Sequence, residues 1–167
     1  DDSKVHDNTI DGNYDPIYVT GDGNVVESNV VTDEGGTAGI TVRLGDDNVV
    51  RNNDLDVDFR GVNIDSGVNN TVQSNSIDIV DPVGTSKYGM EVEDGSASDN
   101  KILDNTLSLP NTGKGVIVDS ASDTLLRNNT ITNAGAEGVL VDGATGTTLT
   151  NITVRDASDA FAAVSGS

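Results

Sequence analysis

One motif is written seven times along this chain, and a fixed internal period constrains the fold before any single residue is read. Each copy has a small residue, then apolar-x-apolar, a short turn, then Asn-x-aliphatic-x-x-Asn-x-aliphatic. The clearest copies run Gly61-Val62-Asn63-Ile64 into Asn70-Thr71-Val72-Gln73-Ser74-Asn75-Ser76-Ile77, and Gly89-Met90-Glu91-Val92 into Asn100-Lys101-Ile102-Leu103-Asp104-Asn105-Thr106-Leu107. The second Asn falls at Asn8, Asn29, Asn53, Asn75, Asn105 and Asn129, with Ile152 in that slot of the last copy. The steps are 21, 24, 22, 30, 24 and 23 residues, averaging 24.

Four aliphatic columns keep register with this period. The first is Ile17, Ile40, Val62, Met90, Val116, Val139 and Phe161; the second is Val19, Val42, Ile64, Val92, Val118, Val141 and Val164. After the turn come Val5, Val26, Val50, Val72, Ile102, Leu126 and Leu149, then Ile10, Val31, Leu55, Ile77, Leu107, Ile131 and Val154. Apolar and polar residues alternate and β-branched residues dominate, which is strand periodicity; no stretch carries a helical stripe. One copy has too little apolar surface to close a core, but stacked copies bury a continuous one. Parallel strands about 4.8 Å apart then predict seven coils roughly 30 Å tall. The recurring Asn suits the inside of a bend, its amide bonding the Asn above and below as a structural ladder.

On these residues the whole chain resembles the right-handed parallel β-helix repeat proteins, the group that includes pectate-lyase-like enzymes and NosD-like periplasmic proteins. The resemblance implies an all-β fold, a single-stranded parallel solenoid of about seven coils forming one domain over residues 1–167. It fixes no function, because lyases, glycoside hydrolases, epimerases, tailspikes and plain surface proteins share the architecture. The single histidine, His6, stands outside any Gly-His-Gly or Arg-x-Lys sequence. The chain opens inside a copy and stops before another Asn motif. Part of a longer polypeptide, or of an assembly that covers its open ends, is therefore expected.

Composition narrows the setting. Lys+Arg number 9 against 28 Asp+Glu, a net charge of −19, and 23 of the acids are Asp. Nucleic acid is excluded as a partner, since phosphate binding needs the opposite sign. The regular columns argue against disorder, the usual alternative for so acidic a chain. Asp-rich, Lys-poor surfaces with abundant Thr and Val resemble those of proteins from extreme halophiles, where repulsion is screened within about 3 Å at molar salt. There is no cysteine, and no run of 18 apolar residues for membrane insertion. Asn-x-Thr sequons at Asn69, Asn128 and Asn151 permit surface glycosylation.

Three places carry candidate chemistry. The residue after the second column is Thr20, Arg43, Asp65, Glu93, Asp119 and Asp142 in successive copies. Four stacked carboxylates one rung apart repel by about 0.9 kcal/mol per pair in bulk water, and more at lower dielectric. No cofactor is required, but Ca²⁺ is the cation that Asp65, Glu93, Asp119 and Asp142 would take; a solvated halophilic face is the alternative. Next, Asp54-Leu55-Asp56-Val57-Asp58 points acids outward, with Asp78 beside Asp56 on the following rung and Arg60 close in sequence. Asp56, Asp58, Asp78 and Arg60 resemble in composition what β-helix lyases use, a metal acidifying a uronate proton and a base removing it. Finally, longer connections at Asp11 to Pro16, Thr32 to Ala38, Asp78 to Tyr88 and Ser108 to Lys114 interrupt the period at one phase, which predicts a lateral loop surface. They hold or adjoin Tyr14, Tyr18 and Tyr88, with Lys87 and Lys114, a set that suits a sugar ring.

The expected function is an extracellular, rigid binding or structural module whose lateral face meets a glycan or a cell-surface or virion protein in high salt. Two alternatives follow from the resemblance. One is a polysaccharide lyase, epimerase or hydrolase; the other is a virus spike or capsid decoration protein, with homo-oligomers, a trimer among them, built side by side.

Overall fold

The structure is a computed structural model describing residues 2–12, 14–33, 35–80, 87–111 and 113–164. Short strands stack into three parallel seven-stranded sheets, and no helix occurs among the described residues. The long sheet is built from Ile17–Thr20, Ile40–Arg43, Arg60–Asp65, Tyr88–Glu93, Lys114–Asp119, Glu137–Asp142 and Asp159–Val164. The first-Asn sheet, named for the Asn preceding most of its strands, runs Lys4–His6, Val25–Glu27, Val49–Arg51, Thr71–Gln73, Lys101–Leu103, Leu125–Arg127 and Thr148–Thr150. The second-Asn sheet follows it in every coil as Thr9–Asp11, Val30–Asp33, Asp54–Val57, Ser76–Ile79, Thr106–Ser108, Thr130–Thr132 and Thr153–Arg155.

The aliphatic columns stack as the period predicts. Val62 pairs with Met90 and Met90 with Val116; Leu55 pairs with Ile77 and Ile77 with Leu107. These side chains form one continuous core down the axis. One position departs from expectation. Ala163, not Val164, pairs with Val141, because Phe161 holds the register opposite Val139 and strict alternation then turns Ala163 inward.

Two Asn ladders close the corners. Asn75 Nδ2 donates to Asn105 Oδ1 at 3.0 Å and to the Val50 carbonyl at 3.0 Å, while its own Oδ1 accepts from Asn53 N at 2.9 Å and Asn53 Nδ2 at 3.0 Å. Asn24, Asn48, Asn70 and Asn100 repeat the arrangement at the other corner. The bend needs a left-handed residue before the second Asn, and Ser28, Asn52, Ser74, Asp104 and Asn128 have φ of 55–58° there. Short polar side chains tolerate that conformation by bonding locally. The small residue opening each copy is needed for close approach. A Cβ on Gly89 would meet Leu107 Cδ2 and lie 2.7 Å from the carbonyl oxygen of Gly115 on the next coil.

Candidate functional site

The outer face of the long sheet gathers most of the singled-out residues. Alternation sends Val62 and Ile64 inward and Asn63 and Asp65 outward, and each following coil repeats this. Three outward columns result. Arg60, Tyr88 and Lys114 are in register along one side. Asn63, Glu91, Ile117 and Leu140 form the middle, and Arg43, Asp65, Glu93, Asp119 and Asp142 the other side.

The middle column faces outward yet is buried: Asn63 and Glu91 are each 6% exposed. Glu91 lies between Asn63 on one rung and Ile117 on the next, beneath the flanking columns. Burial pushes its carboxyl up to about 7 from 4.5; Arg60 opposes the rise, Glu93 and Asp119 add to it, and Lys114 opposes it. Arg60 Nε is 3.0 Å from Glu91 Oε2, and Arg60 Nη1 is 3.6 Å from Glu93 Oε1. The same guanidinium sits 5.4 Å from the Phe59 ring centroid and 5.3 Å from that of Tyr88, a cation held between two aromatic faces. Asn63 Nδ2 donates to Glu93 Oε1 at 3.0 Å, leaving the buried Asn63 Oδ1 without a hydrogen bond. Arg60 Nε and Glu91 Oε2 are close without hydrogen-bond alignment. Lys114 Nζ reaches Glu137 Oε2 at 3.4 Å on the next coil. Rings, amide, carboxylates and cations thus share one surface about three rungs, or roughly 15 Å, long.

Among the sequence candidates, Arg60, Tyr88 and Lys114 meet here, with Asp65, Glu93 and Asp119 alongside. Register stacks the acidic column as expected, from Asp65 through Glu93 and Asp119 to Asp142. Two of its members are already engaged, however: Arg43 Nε, one rung away in the same column, holds Asp65 Oδ2 at 3.0 Å, and Glu93 is tied to Arg60 and Asn63. Among the described residues no three His, Cys, Asp or Glu side chains are grouped to hold a metal ion.

The set of Asp56, Asp58, Asp78 and Arg60 is split between two faces. Asp56 and Asp78 are paired on the second-Asn sheet, both exposed, and desolvation followed by repulsion from Asp78, Asp54 and Asp58 raises the Asp56 carboxyl. Arg60 lies around the corner on the long sheet, drawn there by Glu91 and Glu93, so the carboxylates lack the base assigned to them. Asp58 joins the two faces and its carbonyl accepts from Lys87 Nζ.

The loop-face set is also divided. Tyr14, 69% exposed, and Tyr18, 48% exposed, belong to the first coil, three rungs from Tyr88. Tyr18 and Tyr88 sit on strands, not loops. Lys87, expected on an open face, is 4% exposed with its ammonium turned onto backbone. Residues 13, 34, 81–86 and 112 of the long connections lie outside the described residues. Sequence reasoning missed Phe59, Asn63, Glu91 and Glu137. The available signal was the x of apolar-x-apolar, which passes from Asn63 and Glu91 to Ile117 and Leu140 where alternation calls for solvent-loving residues.

Comparison with known proteins agrees with this architecture. Residues 1–113 match the family model described as "Right handed beta helix region", and residues 78–165 match "Periplasmic copper-binding protein (NosD)". No curated protein matches the sequence. Among solved structures, the Streptococcus pneumoniae surface protein and adhesin PfbA is similar, at 12% identity and a TM-score of 0.63, over 86% of this chain and 49% of that one. The chain therefore spans about half the length of that structure, and at such identity the likeness is one of fold.

Proposed function

The chain belongs to the right-handed β-helix family, and from that premise we propose that it is a rigid binding module, working outside the cytoplasm, whose long-sheet face holds a glycan. The observation that carries this reading is the Phe59–Arg60–Tyr88 stack over buried Glu91. A sugar ring offers an apolar face to an aromatic ring and hydroxyls at its edge. Tyr88, 6.3 Å from Phe59 and tilted by 51°, supplies the ring; the partly exposed Glu93 and Lys114 supply an acceptor and a donor on adjacent rungs. The solenoid contributes rigidity, since both corners are locked by amide ladders and little ordering entropy remains to oppose binding. The periplasmic and surface-adhesin names of the similar proteins support a place outside the cytoplasm.

Copper, named in one family description, does not fit these residues. Copper sites use imidazole, thiolate or thioether. This chain has no Cys, one His and one Met; His6 is exposed beside Asp7 at 2.7 Å, and Met90 is sealed in the core at 1% exposure.

The test is a glycan array probed in high salt, followed by calorimetry on any ligand found. Tyr88→Ala should weaken binding about tenfold, the ~1.4 kcal/mol scale of one aromatic contact, in a chain that circular dichroism shows still folded. No glycan bound, or an affinity indifferent to Tyr88, defeats the proposal. A glycan-cleaving reading has one observation in its favour, a carboxyl titrating near neutrality beside a guanidinium. New reducing ends or unsaturated products from a bound glycan, lost in Glu91→Gln, would establish it.

A further inference from the structure

Charge is divided unequally among the three faces. The fourteen outward strand positions of the first-Asn sheet hold Lys4, His6, Arg51, Lys101 and Arg127 against one acid, Glu27. That acid is already bound by Lys4 Nζ and, at 2.6 Å, by Arg51 Nη2. The outward positions of the second-Asn sheet hold Asp11, Asp54, Asp56 and Asp78 against one cation, Arg155, the rest being Ser, Thr and Val30. In a chain of net charge −19, one face is locally cationic and its neighbour anionic.

The spacing of these charges matches. Numbering coils from the N-terminus, the cations Arg51, Lys101 and Arg127 stand on coils 3, 5 and 6 of the first-Asn sheet. Acids stand on coils 1, 3 and 4 of the second-Asn sheet: Asp11, then Asp54 with Asp56, then Asp78. Both series advance by two rungs and then one. We infer that the first-Asn face of one copy docks on the second-Asn face of a second copy, axes parallel and staggered by two rungs. A stagger of about 10 Å then sets Arg51 opposite Asp11, Lys101 opposite Asp54 and Asp56, and Arg127 opposite Asp78, because both faces share the same rung repeat of about 4.8 Å. Any antiparallel arrangement leaves at least one of the three cations facing an uncharged rung or none. Half-buried Leu125 beside Arg127, and Val30 at 44% exposure on the acidic face, add apolar contact.

The contact joins unlike faces, so a docked pair keeps one free face of each sign. Each contact also climbs two rungs, which prevents ring closure and lets the array propagate. Five overlapping rungs make a strip about 24 Å long and one short strand wide. That is below the size of a stable pair, so association is weak and grows with concentration.

Sedimentation equilibrium in about 1 M KCl, where screening within roughly 3 Å removes long-range repulsion but not contact pairs, tests this directly. The weight-average mass of the wild type should climb with concentration without levelling at a dimer. Lys101→Glu/Arg127→Glu and, separately, Asp56→Lys/Asp78→Lys change only outward side chains that are exposed or, for Lys101, half-buried; each alone should stay monomeric, and mixing the two should restore association. Circular dichroism confirms that each variant is folded, and the two arms are independent should one fail. A monomeric wild type, association undiminished in either variant, or a mixture that stays monomeric overturns the inference.

Discussion

Replacing Glu91 with glutamine tests whether burial or the Arg60 pair governs the long-sheet face. Holding the Glu91 carboxyl at about 7 in the folded chain, against 4.5 when unfolded, means that ionising it costs the fold about 3 kcal/mol, each pH unit being worth ~1.4 kcal/mol. The folded value is raised, so the stabilising contribution is complete below about 4.5 and is lost as pH climbs through about 7. The glutamine amide would keep the shape and carry no charge. It forgoes the attraction to Arg60, 3.0 Å away, but the raised Glu91 value already includes that attraction, so the cost of about 3 kcal/mol is net of it. The two chains should therefore be equally stable within about 1 kcal/mol near pH 4, while above pH 8 Glu91→Gln is the more stable by about 3 kcal/mol. Urea denaturation at fixed molar KCl reads this as a midpoint displaced by about 1.5 M for a slope near 2 kcal/mol/M. Parallel pH profiles for the two chains, or a variant less stable at high pH, would show that the ion pair outweighs desolvation and that Glu91 is an ordinary surface anion.

The remaining predictions address the scaffold and its solvent. Asn75→Ala orphans the buried Asn53 N–H and the Val50 carbonyl and should cost about 3 kcal/mol, read as a lowered denaturation midpoint. Asn75→Asp should be worse at pH 7 than at pH 4, since an ionised carboxylate there would oppose Asn105 Oδ1 and has no proton to donate. Gly89→Ala should lose about 2 kcal/mol or more through overpacking against Leu107 and the next coil, whereas Gly95→Ala, whose added carbon meets nothing nearer than 3.9 Å, should shift the thermal midpoint little. Thermal stability should rise steeply with KCl, and millimolar CaCl₂ in dilute buffer should not replace molar salt, because Asp65 and Glu93 are already engaged by arginines and no three acids among the described residues are grouped as ligands. Restoration by calcium alone would reverse that conclusion.

The fold is legible because it repeats. A column tests itself seven times, so Val5 to Leu149 and Ile10 to Val154 align without knowledge of any neighbour, and the corner amides announce themselves by spacing. The failures lie where repetition stops. The last coil offers no following motif to fix the register, so spacing points to Val164 where Ala163 belongs. Nearness in sequence joins Arg60 to Asp56 and Asp58, yet a corner lies between them, and at a corner two adjacent residues face different solvents. Lysine is usually exposed, which points Lys87 outward; its burial follows from the Asp58 carbonyl one coil away, a contact that only folding creates.

Glu91 shows why the site itself is harder to read than the scaffold around it. An outward position in a strand is solvated by default, and whether it stays so depends on the residues directly above and below, 26 and 28 positions away in this chain. Asn63 beneath, Ile117 above and the Arg60–Tyr88 stack beside it remove the water that would hold its charge. None of those neighbours is unusual alone. The perturbation arises from stacking, which converts a loose column of ordinary residues into a fixed surface with one strained carboxyl. A solenoid can change that surface one coil at a time while the inward columns keep the axis unchanged, so chemistry in such a fold is written in the outward x positions and stability in the aliphatic ones. On this reasoning Ile117→Asn, which would return water to the Glu91 carboxyl without touching the core, should lower its titration midpoint toward 4.5, as followed by carboxyl carbon NMR. A midpoint left near 7 would assign the perturbation to the acidic neighbours Glu93 and Asp119 instead.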